Sequence, residues 1–349
     1  MSTIIALTGD VMLGRLVDQY MVRNSTVSPA SIWGDVLPLM LSAGVRAINL
    51  ECVISSKGAK WKPLTKAFHF RAHPRAIEFL RAASIDCVTL ANNHVLDYGA
   101  EALEECIQLL DRAGIKHAGA GANLAQAMEP ALLTTPEDTI AVVALTDNEP
   151  EWEATASRPG VFYIMYDKQG LLEPYRSRVR QAIARARSLA GLVIVSAHVG
   201  PNWGKPSAAM QALAHQIIDF GADVYWGHSN HAPQGIQFVH RRPILYSTGD
   251  FVDDYAVDPI ERNDLCFLFC LHVERGRTSK IVLYPTAIED FRVRRAQGEE
   301  VRFLMQRITS LSAEFGTQVL VRDGIAEVDV LGLDEPDVSG GARAANPVD

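Results

Sequence analysis

Ile85-Asp86-Cys87-Val88-Thr89-Leu90-Ala91-Asn92-Asn93-His94-Val95-Leu96-Asp97-Tyr98-Gly99 is the stretch on which the reading of this chain turns. The apolar run from Ile85 to Leu90 reads as a short buried strand. It breaks directly into two carboxamides, an imidazole and a carboxylate. A single Asn or Asp at that point would be turn punctuation, because its side chain bonds the nearby backbone. Four polar groups of different chemistry at one strand end point to a site.

Outward from this stretch the same pattern recurs, a short apolar strand running into an Asp, Glu or His. Segments 4–8, 47–50, 87–90, 140–145, 192–196, 224–226 and 244–247 read as strands. Between them, 32–42, 75–83, 102–113, 175–190 and 208–220 carry apolar residues at helical spacing, several stopped by Gly44, Gly114, Gly191 or Gly221. This alternation predicts an α/β layered fold. Segments 265–273 and 280–284 predict an antiparallel pair turned at Arg275-Gly276-Arg277, followed by a helix over 299–315 and strands at 319–321 and 326–330. Residues 1–333 read as a single domain, and 334–349 as a disordered tail without apolar mass.

Composition narrows the function classes. The 349 residues are 48% hydrophobic and 21% charged, with a net charge of −8 and a pI near 5.7. That balance argues against nucleic acid or an anionic membrane as the main partner, and favours an anionic small-molecule or peptide substrate only where local cations allow it. No stretch reaches the roughly 18 apolar residues of a spanning helix, and the first apolar run is too short for a signal peptide. Cys52, Cys87, Cys106, Cys266 and Cys270 are odd in number and sit in apolar runs, as reduced core thiols of a cytoplasmic protein do. Nothing in the sequence sets the oligomeric state, which leaves room for a homo-oligomer.

In open α/β sheets, ligands bind beyond the carboxyl ends of the strands, so residues at those ends converge. Taken in order, the ends supply Asp10, Glu51, Asn93 with His94 and Asp97, His198, then His228 and His231, and finally Asp250 with Asp253-Asp254. Singly, Asp10 reads as a helix N-cap, and His198 or Gly227-His228 as structural or turn residues. Together they form a set of N and O ligands without thiolate, which suits one or two divalent ions such as Mn, Fe, Zn or Co. A carboxylate can bridge two such ions about 3.5–4 Å apart, an arrangement suited to phosphate-ester hydrolysis. His69, His73, His117, His215, His240 and His272 fall off the strand-end pattern and read as structural.

Gly9-Asp10…Gly14-Arg15, Asn49-Leu50-Glu51, Ala91-Asn92-Asn93-His94…Asp97-Tyr98-Gly99, Gly119-Ala120-Gly121, His198-Val199-Gly200, Gly227-His228-Ser229-Asn230-His231 and Tyr246-Ser247-Thr248-Gly249-Asp250-Phe251 resemble the poly-γ-glutamate capsule-biosynthesis (CapA) family, a branch of the calcineurin-like metallophosphoesterases. The resemblance spans residues 4–255 and implies a sandwich of two mixed β-sheets flanked by helices, αββα, with a one- or two-metal site. It implies Asp10 as a ligand of the first metal, Glu51 as a bridging carboxylate, and Asn93 and His198 as ligands of the second metal. His231 returns to the first metal, and His94 stands where a non-ligand histidine protonates a leaving group. The chain departs from the pattern at Met12 and Ser229, where histidines are expected, and His228 is the neighbouring candidate to replace the latter. Val199 and Asp250 also depart, and Asp250 adds a carboxylate.

The resulting expectation is a metal-dependent hydrolase acting on a phosphoester or a glutamyl or peptide bond, linked to polyglutamate or capsule metabolism. His94 is its acid, Asp97 orients His94, and Arg15 neutralises an anionic group of the substrate. Two alternatives stand beside it: a metal-dependent peptide epimerase, with Asp10 and His231 on opposite faces of a Cα, and a non-catalytic metal-binding component of a polymer-synthesis complex.

Overall fold

The structure is a computed structural model and describes residues 3–23, 26–62 and 66–330. The tail expected over 334–349 lies outside the described residues. The chain opens with β1 (Thr3–Val11), α1 (Arg15–Arg23), a 3-10 segment over Ser31–Val36 and α2 (Leu37–Ser42). Next come β2 (Val45–Leu50), α3 (Ala76–Ala82), β3 (Cys87–Thr89), α4 (Gly99–Ala113) and β4 (Lys116–Ala118). A second run supplies α5 (Leu124–Met128), β5 (Ala131–Thr134), β6 (Thr139–Thr146), α6 (Tyr175–Leu189), β7 (Leu192–His198), α7 (Ala208–Asp219), β8 (Val224–His228), β9 (Ile236–Val239) and β10 (Arg242–Leu245). The last part adds β11 (Asp250–Val252), β12 (Leu265–Glu274), β13 (Arg277–Glu289), β14 (Arg292–Arg295), α8 (Glu299–Ala313), β15 (Leu320–Arg322) and β16 (Ile325–Asp329).

Two mixed sheets result. One runs β15-β16-β13-β12-β1-β2-β3-β4, with β11 beside β1 and β14 beside β13; the other runs β9-β10-β8-β7-β6-β5. Strands β1 to β4 are parallel, as are β6, β7, β8 and β10, so each sheet has a carboxyl edge. Side chains alternate across a strand, which makes two faces of different partners. Ile5 and Leu7 of β1 share a buried cluster with Val142, Ile194 and Trp226 of the second sheet. Ala6 turns the other way and packs with Val17, Met21, Phe79 and Leu103 of the helices over the first sheet. Val143 and Val195 carry α6 and α7 on the second sheet's outer face, through Ile183 and Leu213. The layering is αββα, as expected.

One irregularity in β1 prepares the site. Leu7 pairs with Ala47 and Asp10 with Asn49, so three steps on β1 match two on β2 and the strand bulges. The extra residue reverses the alternation: Ala6 and Val11 both face the outer helices, and Asp10 is left facing the seam between the sheets. Gly9 permits this, because a Cβ there would lie 2.1 Å from the Gly249 carbonyl oxygen and 2.5 Å from that of Thr248. Asp10 N–H donates to that same Gly249 oxygen at 2.8 Å, and β11 runs parallel to β1 with Asp250 opposite Asp10.

One expectation needs correction. The helix over 32–42 is broken: Gly34 takes φ 48° and ψ −140° to make room for the Val293 carbonyl of β14, and a new helix starts at Leu37-Pro38. Helix α1 is an element the sequence reading did not include. The antiparallel pair β12 and β13 and its turn, with Gly276 at φ 71°, are as expected. All five cysteines are buried and free.

Candidate metal centre

The carboxyl edges of the two sheets meet at Asp10, which is 1% exposed. Its Oδ1 accepts from Asn49 Nδ2 at 2.7 Å and lies 3.0 Å from His228 Nδ1, while Oδ2 is buried without a hydrogen-bond partner and lies 4.0 Å from His198 Nδ1. Two sets of ligand atoms, each mutually within 4.8 Å, share this residue: Asp10, Glu51 and His198, and Asp10, His231 and Asp250. Glu51 Oε1 faces His198 Nε2 at 3.9 Å, and its Oε2 accepts from the Tyr255 hydroxyl at 2.8 Å. Asp250 Oδ1 pairs with His231 Nδ1 at 2.9 Å, leaving Oδ2 buried and unpartnered.

Three carboxylates buried this close cannot all stay charged unaided. Burial raises Asp10, but the His228 hydrogen bond and the His198 imidazole outweigh it and hold the carboxyl at about 2. Burial, reinforced by the Asp10 charge, pushes Glu51 and Asp250 well above the carboxylate range. Burial holds His198 down at about 3. Imidazole nitrogens, carboxylate oxygens and orphaned Oδ2 atoms gathered around one aspartate fit a divalent cation, whose charge would offset the mutual repulsion.

The Asn92-Asn93-His94…Asp97 stretch forms the adjoining wall. Asn92 is its turn residue: Nδ2 donates to Leu50 O, and Oδ1 accepts from His94 N–H at 3.0 Å. Asn93 Oδ1 is buried without a partner, and is thus open to a ligand. His94 places Nδ1 2.6 Å from Asp97 Oδ2 and stacks on Phe70 at 3.8 Å between ring centroids. Phe70 N–H also donates to Asp97 Oδ2 at 2.6 Å. Burial lowers His94 well below its usual value, with Lys66 acting in the same direction, and burial raises Asp97 to about 7. The Asp10 and His231 charges also bear on His94, so it belongs to the same electrostatic unit.

Among the residues predicted from sequence, Asp10, Glu51, His198 and His231 come together in the ligand groups, and Asn93, His94 and Asp97 border them. His228 sits against Asp10 through Nδ1, with Nε2 buried and unpartnered; it orients the aspartate and enters neither group. Ser229 takes φ 81° and donates its hydroxyl to Gly200 O, and Met12 is fully buried in the outer core with Sδ accepting from Gly14 N–H. Arg15 pairs through Nε with Asp254 at 3.3 Å, and its guanidinium covers Phe68 and Phe70. Of the off-pattern histidines, His69 bonds Trp61 O and lies close enough to bear on His94 and Asp97, while His117 stands against Asp111, His215 on Gln237 and His240 against Asp219.

Four contributors are not among the site residues read from the sequence. Asn49 bonds Asp10 and lies 3.3 Å from His198 Nδ1, Tyr255 bonds Glu51, and Phe70 stacks on His94. Lys66 reaches Asn93 O at 2.5 Å, Glu149 Oε1 at 2.7 Å and Asp97 Oδ1 at 3.4 Å. A polar residue closing an apolar strand, as Asn49 does, was the one clue of this kind available in sequence.

The fold and site define a class, four-layer αββα sandwiches with carboxylates and imidazoles gathered where the carboxyl edges of both sheets meet. Within that class, the family of "Bacterial capsule synthesis protein PGA_cap" matches residues 4–255, and the chain belongs to it. A probable polyglutamine synthesis accessory protein of Mycobacterium tuberculosis (strain ATCC 25618 / H37Rv) is 32% identical over 368 aligned positions, covering 93% of this chain and 95% of the relative. The capsule biosynthesis protein CapA of Bacillus anthracis is 28% identical over 251 positions, covering 71% of this chain and 59% of that protein. A novel phosphatase of Mycoplasma pneumoniae aligns in structure with a TM-score of 0.45 at 11% identity, over 84% of this chain and 92% of the other. No helix among the described residues is long and apolar enough to cross a membrane.

Proposed function

We propose that this protein is a divalent-cation-dependent hydrolase of the PGA_cap family, cleaving a phosphoester or a glutamyl or peptide bond in polyglutamate or capsule metabolism. The observation that carries the proposal is the pair of ligand groups sharing Asp10, flanked by a His94–Asp97 pair on the same strand-end edge. Asp10, Glu51, His198, His231 and Asp250 would hold the cation or cations, with Asn93 Oδ1 in reserve. Once bound, the cation supplies Lewis acidity and lowers the pKa of water.

The chain's own residues do the rest. Asp97, fixed by the Phe70 amide and Lys66, accepts from His94 Nδ1 and so leaves Nε2 as the atom where a proton is held or moved. Phe70 covers one face of the imidazole and excludes water from it. Arg15, over the same Phe70 ring, borders the approach and favours an anionic group on the substrate.

The test is metal content of the purified protein together with turnover of phosphoester and glutamyl-peptide panels by wild type, D10N and H94A. Bound metal lost in D10N and turnover lost in both variants are expected. A metal-free wild type, or turnover indifferent to H94A, overturns the assignment. The word "accessory" in the mycobacterial relative's name favours one second reading, a metal-binding partner in a synthesis complex. That reading holds if metal binds and no panel substrate turns over.

A further inference from the structure

Tyr255 belongs to the loop after β11 and is not a ligand, yet it touches more of the site than any single ligand pair explains. Asp253 Oδ1 accepts Tyr255 N–H at 2.8 Å and so fixes the direction in which the residue leaves the loop. Its ring meets Phe70 at 5.7 Å, and Phe70 carries His94 on its face. The same ring stands edge-on to His231 at 5.2 Å. Its hydroxyl donates to Glu51 Oε2 at 2.8 Å. One side chain thus contacts a member of each ligand group and the stacking partner of His94.

The consequence falls on Glu51. This carboxylate is 2% exposed, and with Oε2 engaged by the phenol only Oε1 is turned toward His198. We infer that Tyr255 is a positioning residue that fixes Glu51 as a one-oxygen ligand, keeping its second oxygen out of the cation's reach. The inference rests on the cation-binding reading above. A Phe at this position keeps the ring contacts with Phe70 and His231 and removes only the hydroxyl, so Glu51 is freed to rotate or to chelate with both oxygens. Outer partners of this kind typically set metal affinity by about 10–100-fold.

Cobalt(II) alone is a sufficient probe, because its visible spectrum reports coordination without any substrate. Y255F is expected to bind Co(II) about tenfold more weakly and with a changed visible spectrum. In an E51A background the same substitution is expected to change neither quantity, since the carboxylate it positions is gone. A role confined to packing would lower affinity equally in both backgrounds and leave the spectrum alone. That result overturns the inference, as does a Y255F protein whose affinity and spectrum match wild type. Y255M, which also lacks the hydroxyl, is carried in parallel, and thermal melting of each variant checks that it is folded. A wild type that fails to bind Co(II) sinks the cation-binding reading itself, whereas a wild type that binds with Y255F unchanged sinks only the role of Tyr255.

Discussion

Replacing Gly9 by Ala tests the step by which the fold makes the site. The added Cβ would stand 2.1 Å from Gly249 O and 2.5 Å from Thr248 O, both backbone atoms that no rotamer change can move. Relief to an ordinary contact requires β11 to retreat from β1 by more than about an ångström. A retreat of that size breaks the bond from Asp10 N–H to Gly249 O at 2.8 Å and the one from Thr248 Oγ1 to Thr8 O at 3.1 Å. Two lost buried hydrogen bonds at about 1 kcal/mol each and overpacking of about 1–3 kcal/mol give a destabilisation of roughly 3–5 kcal/mol. At about 2 °C per kcal/mol for a large domain, the melting point falls by roughly 6–10 °C. Because Asp10 and Asp250 sit on the two displaced strands, cation affinity falls as well, measured by calorimetric titration on protein still folded at low temperature. A G9A protein that melts within about 2 °C of wild type and binds cation equally well would refute the bulge as the device that aims Asp10.

Three further outcomes follow from the same geometry. D10N removes the charge of the carboxylate common to both ligand groups, so affinity should fall by at least about 100-fold, beyond what loss of an outer partner gives, with no tight equivalent left by mass spectrometry. Lys66 has 7% side-chain exposure and joins Glu149 to Asp97; K66M should destabilise by about 3 kcal/mol in urea unfolding, as removal of one partner from a buried pair does. Asp97 is raised by burial from 3.8 to about 7, so the folded state holds its proton more tightly than the unfolded chain does. The stabilisation from that proton is complete below about pH 4 and is lost as pH rises through 7. Unfolding curves of the metal-free protein should therefore show D97N gaining on wild type from pH 5 to pH 8, and a constant difference would contradict the shift.

The layers and most elements were legible because apolar runs and helical spacing report burial directly. What escaped was set by contacts between distant segments. Gly34 breaks the predicted helix only because β14 passes over it, and β1 reverses its alternation only because β11 presses on Gly9. The site divides in the same way. Asp10, Glu51, Asn93, His94 and His198 stand at strand ends and could be read as such. Phe70, Lys66 and Tyr255 come from irregular loops, where no periodicity marks a residue, and their roles exist only through the partner each one reaches. His228 also stands at a strand end, and the fold sets its Nδ1 against Asp10 while Nε2 stays buried without a hydrogen-bond partner.

Asp10 and Asp250 pair in register although they lie at opposite ends of the family-matched segment. During synthesis at about 5–20 residues per second, on the order of 10–50 s separates their emergence. Through that interval the nascent chain carries Asp10 and Glu51 first without His198 and His231, and to its end without Asp250. On the cation-binding reading, the group that holds His231 and Asp250 is completed only when β11 pairs with β1, so a chain interrupted before β11 would lack that group's second carboxylate.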